Sequence, residues 1–147
     1  MSLPSLEGRM TQFTIDPRIL GDSLEVTDLG LCAVRLMDDA RYPWLLLLPR
    51  RPGLEQFTDL DESETAQLAL EIRVAAAALR AVLPFERVNV GALGNIVRQL
   101  HIHVIGRHEF DSAWPGPVWG QGLRVPRETA QNTVIIEQLR LALAHET

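Results

Sequence analysis

The chain has 147 residues and a formal charge of −5, long enough to bury a core without disulfides or a structural metal and too acidic to coat nucleic acid with a basic face. Its apolar and charged fractions, 46% and 22%, suggest neither disorder nor a membrane span. All fourteen basic residues are arginine, which excludes Schiff-base lysine chemistry and the lysine-dependent phosphate loop.

Residues 1–12 carry no regular pattern, and no basic flank precedes an apolar core there, so no signal peptide is expected and a cytoplasmic protein is. Asp16-Pro17 suits a short helix start. Ser23–Val26 and Leu31–Met37 read as strands. Cys32, the single cysteine, sits in the second and reads as an inert buried thiol; no disulfide or cysteine zinc cluster is available. Asp38 to Arg41 is a turn-forming cluster. Trp44–Leu48, flanked by Pro43 and Pro49, reads as a buried strand and is far too short to cross a bilayer. Together 31–48 form a hairpin.

Leu54–Leu60 is a connecting loop, and Asp61 with Glu64 three residues on is a capping signal. Leu68, Ile72, Ala75, Leu79 and Val82 recur at helical spacing, with Gln67, Glu71 and Arg80 off that stripe, until Pro84 stops the helix. Val88–Val90 is a strand, 91–98 a glycine-containing loop, and 100–105 a further strand. Phe110–Leu123 holds two prolines, three glycines, Trp114 and Trp119, so it is irregular. The tryptophans cover the core edge or form the wall of a site or dimer contact. A last helix is expected over about 127–145, with Val134, Ile135, Leu139 and Leu141 as its apolar side. Strands, helix, strands, helix in one undivided domain, 1–147, means α+β with an antiparallel sheet, its core over about 13–120.

The chemistry concentrates in Gln99-Leu100-His101-Ile102-His103-Val104. On a strand, side chains alternate faces, so Gln99, His101 and His103 share one face. Same-face neighbours lie about 6.5–7 Å apart, close enough for two imidazoles to meet one small ligand. Three readings stand: structural histidines on a half-exposed strand, two zinc ligands lacking an obvious third among His108, Glu109 and Asp111, or nucleophilic catalysis by an imidazole. The preceding loop, Gly91-Ala92-Leu93-Gly94-Asn95, permits close backbone approach to a ligand and supplies an amide. Arg98 and Arg107 are weaker candidates, since surface charge is the commoner fate of such residues. His108 and His145 read as surface residues.

Gly94 to Ile105 resembles the signature of the histidine triad superfamily, in which a Gly-Gln or Gly-Asn loop precedes alternating histidines and apolar residues. The strand 45–48, Pro49-Arg50-Arg51-Pro52 and Phe57-Thr58-Asp59-Leu60 are similar to that family's approach to its long helix, so the resemblance spans about 25–120. It implies a histidine-triad fold and a nucleotide hydrolase or transferase acting at an α-phosphate, as in diadenosine polyphosphates. His101 would be the nucleophile and His103 would bond the phosphate or leaving-group oxygen. The backbone carbonyl of position 99 would hold the nucleophile, and Gln99, His103, Asn95 and Gly94 would shape the phosphate site. Asn89 and Asp38 would line the nucleoside pocket. No metal or cofactor is required, although a divalent cation can accompany the nucleotide, and a homodimer is implied. Three positions depart from the pattern: Gln99 replaces the first histidine, Ile96 a phosphate-binding Ser or Thr, and Trp44 a histidine found in several branches. They suggest a divergent Gln-x-His-x-His branch resembling diadenosine polyphosphate hydrolases. The alternatives are a nucleotide-binding module without turnover and a zinc protein using His101 and His103.

Overall fold

A capping carboxylate followed by proline opens the first element, α1 (Pro17–Asp22), whose free Arg18 amide donates to the Asp16 side chain at 2.9 Å. The computed structural model describes residues 12–147; apart from Gln12, the segment expected to be irregular lies outside them. The chain then runs through β1 (Ser23–Asp28), β2 (Cys32–Met37) and β3 (Trp44–Pro49). Next come a 3₁₀ turn (Phe57–Asp59), α2 (Glu62–Val82), β4 (Arg87–Gly91), β5 (Ile102–Arg107) and α3 (Thr129–Glu146). The fold is α+β: one five-stranded sheet in the order β1-β2-β3-β5-β4, every neighbouring pair antiparallel. β2 and β3 form the expected hairpin, with Leu36 opposite Leu45 and Cys32 opposite Pro49.

Strand alternation divides the sheet into two unlike faces. Val34, Leu36, Leu45, Leu47, Ile102 and Val104 point to one face and pack against Leu68, Ala75, Ala78 and Leu79 of α2 and Leu139 and Leu143 of α3. The small alanines let α2 lie close to the strands, and Gly106 leaves room for the Phe85 ring where any Cβ would collide. Ala33, Leu46, Leu48, Trp44 and Ile105 point to the other face and pack against Ile19, Tyr42 and Val118. The long helices α2 and α3 do not cover this second face, which the short α1 reaches through Ile19 and which carries the polar side chains of β5.

Asp61 and Glu64 form the expected capping box at the start of α2, with reciprocal bonds of 2.7 and 3.0 Å. Glu71, off the apolar stripe of α2, is nonetheless buried, and its carboxylate accepts the Leu31 and Cys32 amides at 2.8 Å each and the Gln67 amide at 2.6 Å. Two expectations are corrected. On α3 the buried positions are Asn132, Leu139 and Leu143, with Ile135, Ile136 and Ala142 beside them, while Val134 and Leu141 face solvent. β5 begins at Ile102 rather than Leu100 and runs on to Arg107, since Leu100 donates its amide to Leu54 in the preceding loop, outside the ladder.

Candidate active site

His103 lies within β5, opposite Leu46, and His101 one residue before the strand begins. Both point to the face opposite α2 and α3, where their rings meet edge to face with centroids 4.9 Å apart. His101 Nδ1 lies 2.6 Å from the backbone carbonyl oxygen of Gln99. A carbonyl only accepts, so Nδ1 carries the proton and the neutral ring keeps its lone pair on Nε2. His103 is packed among Trp44, Trp119 and His101, with ring centroids 5.7, 5.3 and 4.9 Å away, and accepts a hydrogen bond at Nδ1 from the Trp44 indole, 3.1 Å. Burial, and secondarily the nearby His101, push its pKa down to about 3. His103 is therefore a neutral ring at any physiological pH.

Both imidazoles open into a cleft of about 510 Å³. Gly94 and Asn95 of the loop before β5 line it, together with Val118, Trp119 and the glycine-rich turn after Trp119. Gly94 has a φ of +68°, a conformation glycine adopts without strain. Ile96 stands 80% exposed at the rim, contributing no side-chain donor. Arg41, which also lines the cleft, is committed to Asp39 through a 2.8 Å ion pair. Asp39 is pushed up by burial, but the bonds from Arg41 outweigh this and hold it below the usual carboxylate range. The question over the tryptophans is answered separately for each: Trp119 lines the cleft and rests on Gly91, whereas Trp114 lies 5.7 Å from the Arg107 guanidinium.

Other expected site residues are placed differently. Gln99 precedes the strand, so alternation does not carry its side chain beside the histidines. Its amide oxygen accepts from Asp16 N at 2.8 Å and its amide nitrogen donates to the Thr14 carbonyl at 2.7 Å. Asn89 does not reach the cleft, because its side-chain oxygen accepts from Arg107 at 2.8 Å. Asp38 does not line it either: its carboxylate accepts from Arg127 N at 2.9 Å and Asn132 at 3.0 Å, anchoring the start of α3.

Arg107 is the largest correction. It is 2% exposed, not a surface charge. Its guanidinium clamps both oxygens of Asp111 at 2.8 and 2.9 Å, and also donates to Asn89 and to the Gly116 carbonyl at 2.8 Å each. Arg107 holds the Asp111 carboxyl at about 2. That carboxylate in turn accepts the amides of His108, Ala113 and Trp114, fixing the loop that presents Trp119 to His103. The sequence signal was present in the spacing: an arginine two residues beyond Ile105 on the His103 face, and an aspartate four residues later.

Among the described residues no group of three or more His, Cys, Asp or Glu side chains is arranged to hold a metal ion. No helix among the described residues is long and apolar enough to cross a membrane.

The chain's likeness to known proteins agrees with this geometry. A histidine triad protein from Bradyrhizobium japonicum is 39% identical, with a TM-score of 0.86 over 90% of this chain and 98% of its own. One from Sinorhizobium meliloti is 42% identical, with a TM-score of 0.85 over 88% and 96%. A third, from Marinobacter aquaeolei, is 33% identical, with a TM-score of 0.87 over 92% and 99%. No match is found among curated proteins. The HIT domain model matches residues 21–110, from the end of α1 through β5 and both histidines. With that stretch matched and these structures superposing over almost their whole length, the chain belongs to the histidine triad family.

Proposed function

We propose that this protein is a nucleotide hydrolase that cleaves at the α-phosphate of a dinucleoside polyphosphate or a related nucleotide, through a nucleotidyl intermediate on His101. The observation that carries this reading is the 2.6 Å contact between His101 Nδ1 and the Gln99 carbonyl. It orients the ring, pins its proton on the far nitrogen and leaves the Nε2 lone pair at the cleft, ready to attack phosphorus. The carbonyl also stabilises the positive charge the ring acquires on forming the phosphorus–nitrogen bond. His103, Gly94 and Asn95 surround the place where the phosphate oxygens would lie. Water then displaces the imidazole and completes hydrolysis, and no protein-bound metal or cofactor is needed; a divalent cation would travel with the nucleotide.

The loss of the first triad histidine does not by itself favour a binding module without turnover. The nucleophile uses only the backbone carbonyl of position 99, and Gln99 directs its side chain to residues 14–16 instead. We further propose a cytoplasmic homodimer, with the branch resembling diadenosine polyphosphate hydrolases. A panel of dinucleoside polyphosphates and nucleotide conjugates tests the activity directly. His101→Ala should lower kcat by at least ~10³-fold with an unchanged fold, and quenching during turnover should leave labelled nucleotide on His101. Tight nucleotide binding with no turnover across the panel would sink the hydrolase reading.

A further inference from the structure

The two rings at the cleft are held by partners of opposite character. The partner of His101 Nδ1 is a carbonyl, which can only accept; the partner of His103 Nδ1 is the Trp44 indole N–H, which can only donate. A ring nitrogen that accepts from an indole carries no proton, so the proton of neutral His103 sits on Nε2. His101 therefore shows the cleft a lone pair and His103 shows it an N–H. The Trp44–His103 contact is buried, with each residue 7% exposed, so water does not offer His103 Nδ1 an easy alternative partner.

From this we infer that Trp44 is a positioning residue that fixes His103 as a hydrogen-bond donor unable to give up a proton, and that the site consequently favours substrates whose leaving group departs as a stable oxyanion. The inference rests on the hydrolase reading above and narrows its substrate class. To act as a general acid, a neutral Nε2–H ring would have to become an imidazolate, and protonating it first would require displacing the Trp44 N–H from Nδ1. The depressed pKa of His103 agrees with this. The other carboxylates lining the cleft face arginines: Asp39 accepts three bonds from Arg41, and Asp22 lies 3.6 Å from Arg124.

The chemical step then balances without proton transfer. The Nε2 lone pair of His101 forms a bond to phosphorus as the bond to the leaving oxygen breaks, and that oxygen departs with the electron pair as a phosphate or phosphoanhydride anion. His103 donates a hydrogen bond to a phosphate or leaving oxygen but keeps its proton. In the second step a water oxygen bonds to phosphorus, the phosphorus–nitrogen bond breaks, its electron pair returns to Nε2, and the surplus proton goes to bulk solvent. A phosphoramidate would have to expel an amide anion along this path, which requires the proton the site does not supply.

Two measurements on the wild-type protein test this. In ¹⁵N-histidine NMR, His103 should show an unprotonated Nδ1 and a protonated Nε2, and His101 the reverse. In a leaving-group series on one nucleoside 5′-phosphate, anhydrides should exceed amine-leaving phosphoramidates in kcat/KM by about 10²–10⁴-fold, the usual contribution of a general acid. Trp44→Phe, which removes only the N–H, should turn the single His103 tautomer into a mixture and lower kcat more than it changes KM. A protonated Nδ1 on His103, or a His103 spectrum unmoved by Trp44→Phe, would overturn the positioning role even in an active enzyme. Equal turnover of anhydride and phosphoramidate would overturn the leaving-group preference and leave the hydrolase reading intact. Turnover of neither class would overturn that preference and the hydrolase reading together.

Discussion

The two faces of the sheet are built by opposite strategies from the same alternating strands. Under α2 and α3 the buried side chains are almost all aliphatic, and the acidic exception, Glu71, has its carboxylate satisfied by three amide donors. On the opposite face, Arg35, His101, His103 and Arg107 are buried, the last three beside other rings, and each has a specified hydrogen-bond partner. The first face supplies stability that is tolerant of which apolar residue fills a site. The second forgoes some of that tolerance for fixed orientation, because a buried polar group without its partner is costly. The lesson is that the cleft is preorganised by its supporting contacts, and that those contacts are as sensitive to substitution as the histidines.

Substitutions on each face test this contrast. The largest effect is expected at the brace: Arg107→Ala strands the Asp111 carboxylate in a buried setting and should cost about 3–5 kcal/mol in urea unfolding, with activity lost alongside as the Trp119 loop loosens. Leu47→Ala on the helix-covered face should cost about 2–5 kcal/mol and yet leave kcat per folded molecule unchanged. If it lowered kcat as Arg107→Ala does, the division between the faces would fail.

A pH effect comes next. Unfolded His103 regains an ordinary pKa of about 6.5, whereas the folded ring resists protonation down to about 3. Between these values the unfolded chain takes up a proton that the folded one refuses. The contribution is thus whole above about pH 6.5 and falls as the pH drops, by up to about 1.4 kcal/mol per unit. Urea midpoints measured between about pH 7.5 and 4.5 should show this acid limb, and His103→Gln should flatten it. The smallest change is Gln99→Ala. It keeps the carbonyl that holds His101 but loses two side-chain bonds to residues 14–16, so about 1 kcal/mol of stability and less than about tenfold in kcat should go.

Much of the frame was legible because periodicity is a local signal. The capped helix Glu62–Val82, the hairpin of β2 and β3 and the same-face placement of His101 and His103 all follow from spacing within short windows. The supporting contacts were not legible in the same way. Arg107 looks like any arginine until β4 brings Asn89 to it and a turn returns Asp111. Asn89 and Asp38 were read as pocket residues because their distant partners, Arg107 and Asn132, lie 18 and 94 positions away. Alternation overran at Gln99 because nothing local marks where a ladder stops. The bond from Trp44 to His103 spans 59 positions and depends on β3 pairing with β5.

The seating of Trp119 gives the cleft an optical property. Its indole rests on the bare backbone of Gly91, lines the cleft and lies 5.3 Å from the His103 ring. Trp114, by contrast, is engaged by the Arg107 guanidinium outside the cleft. A molecule entering the site therefore changes the polarity around Trp119 and Trp44 while leaving Trp114 as a constant background. Intrinsic emission thus reports occupancy without a label, and Trp114→Phe would improve its contrast.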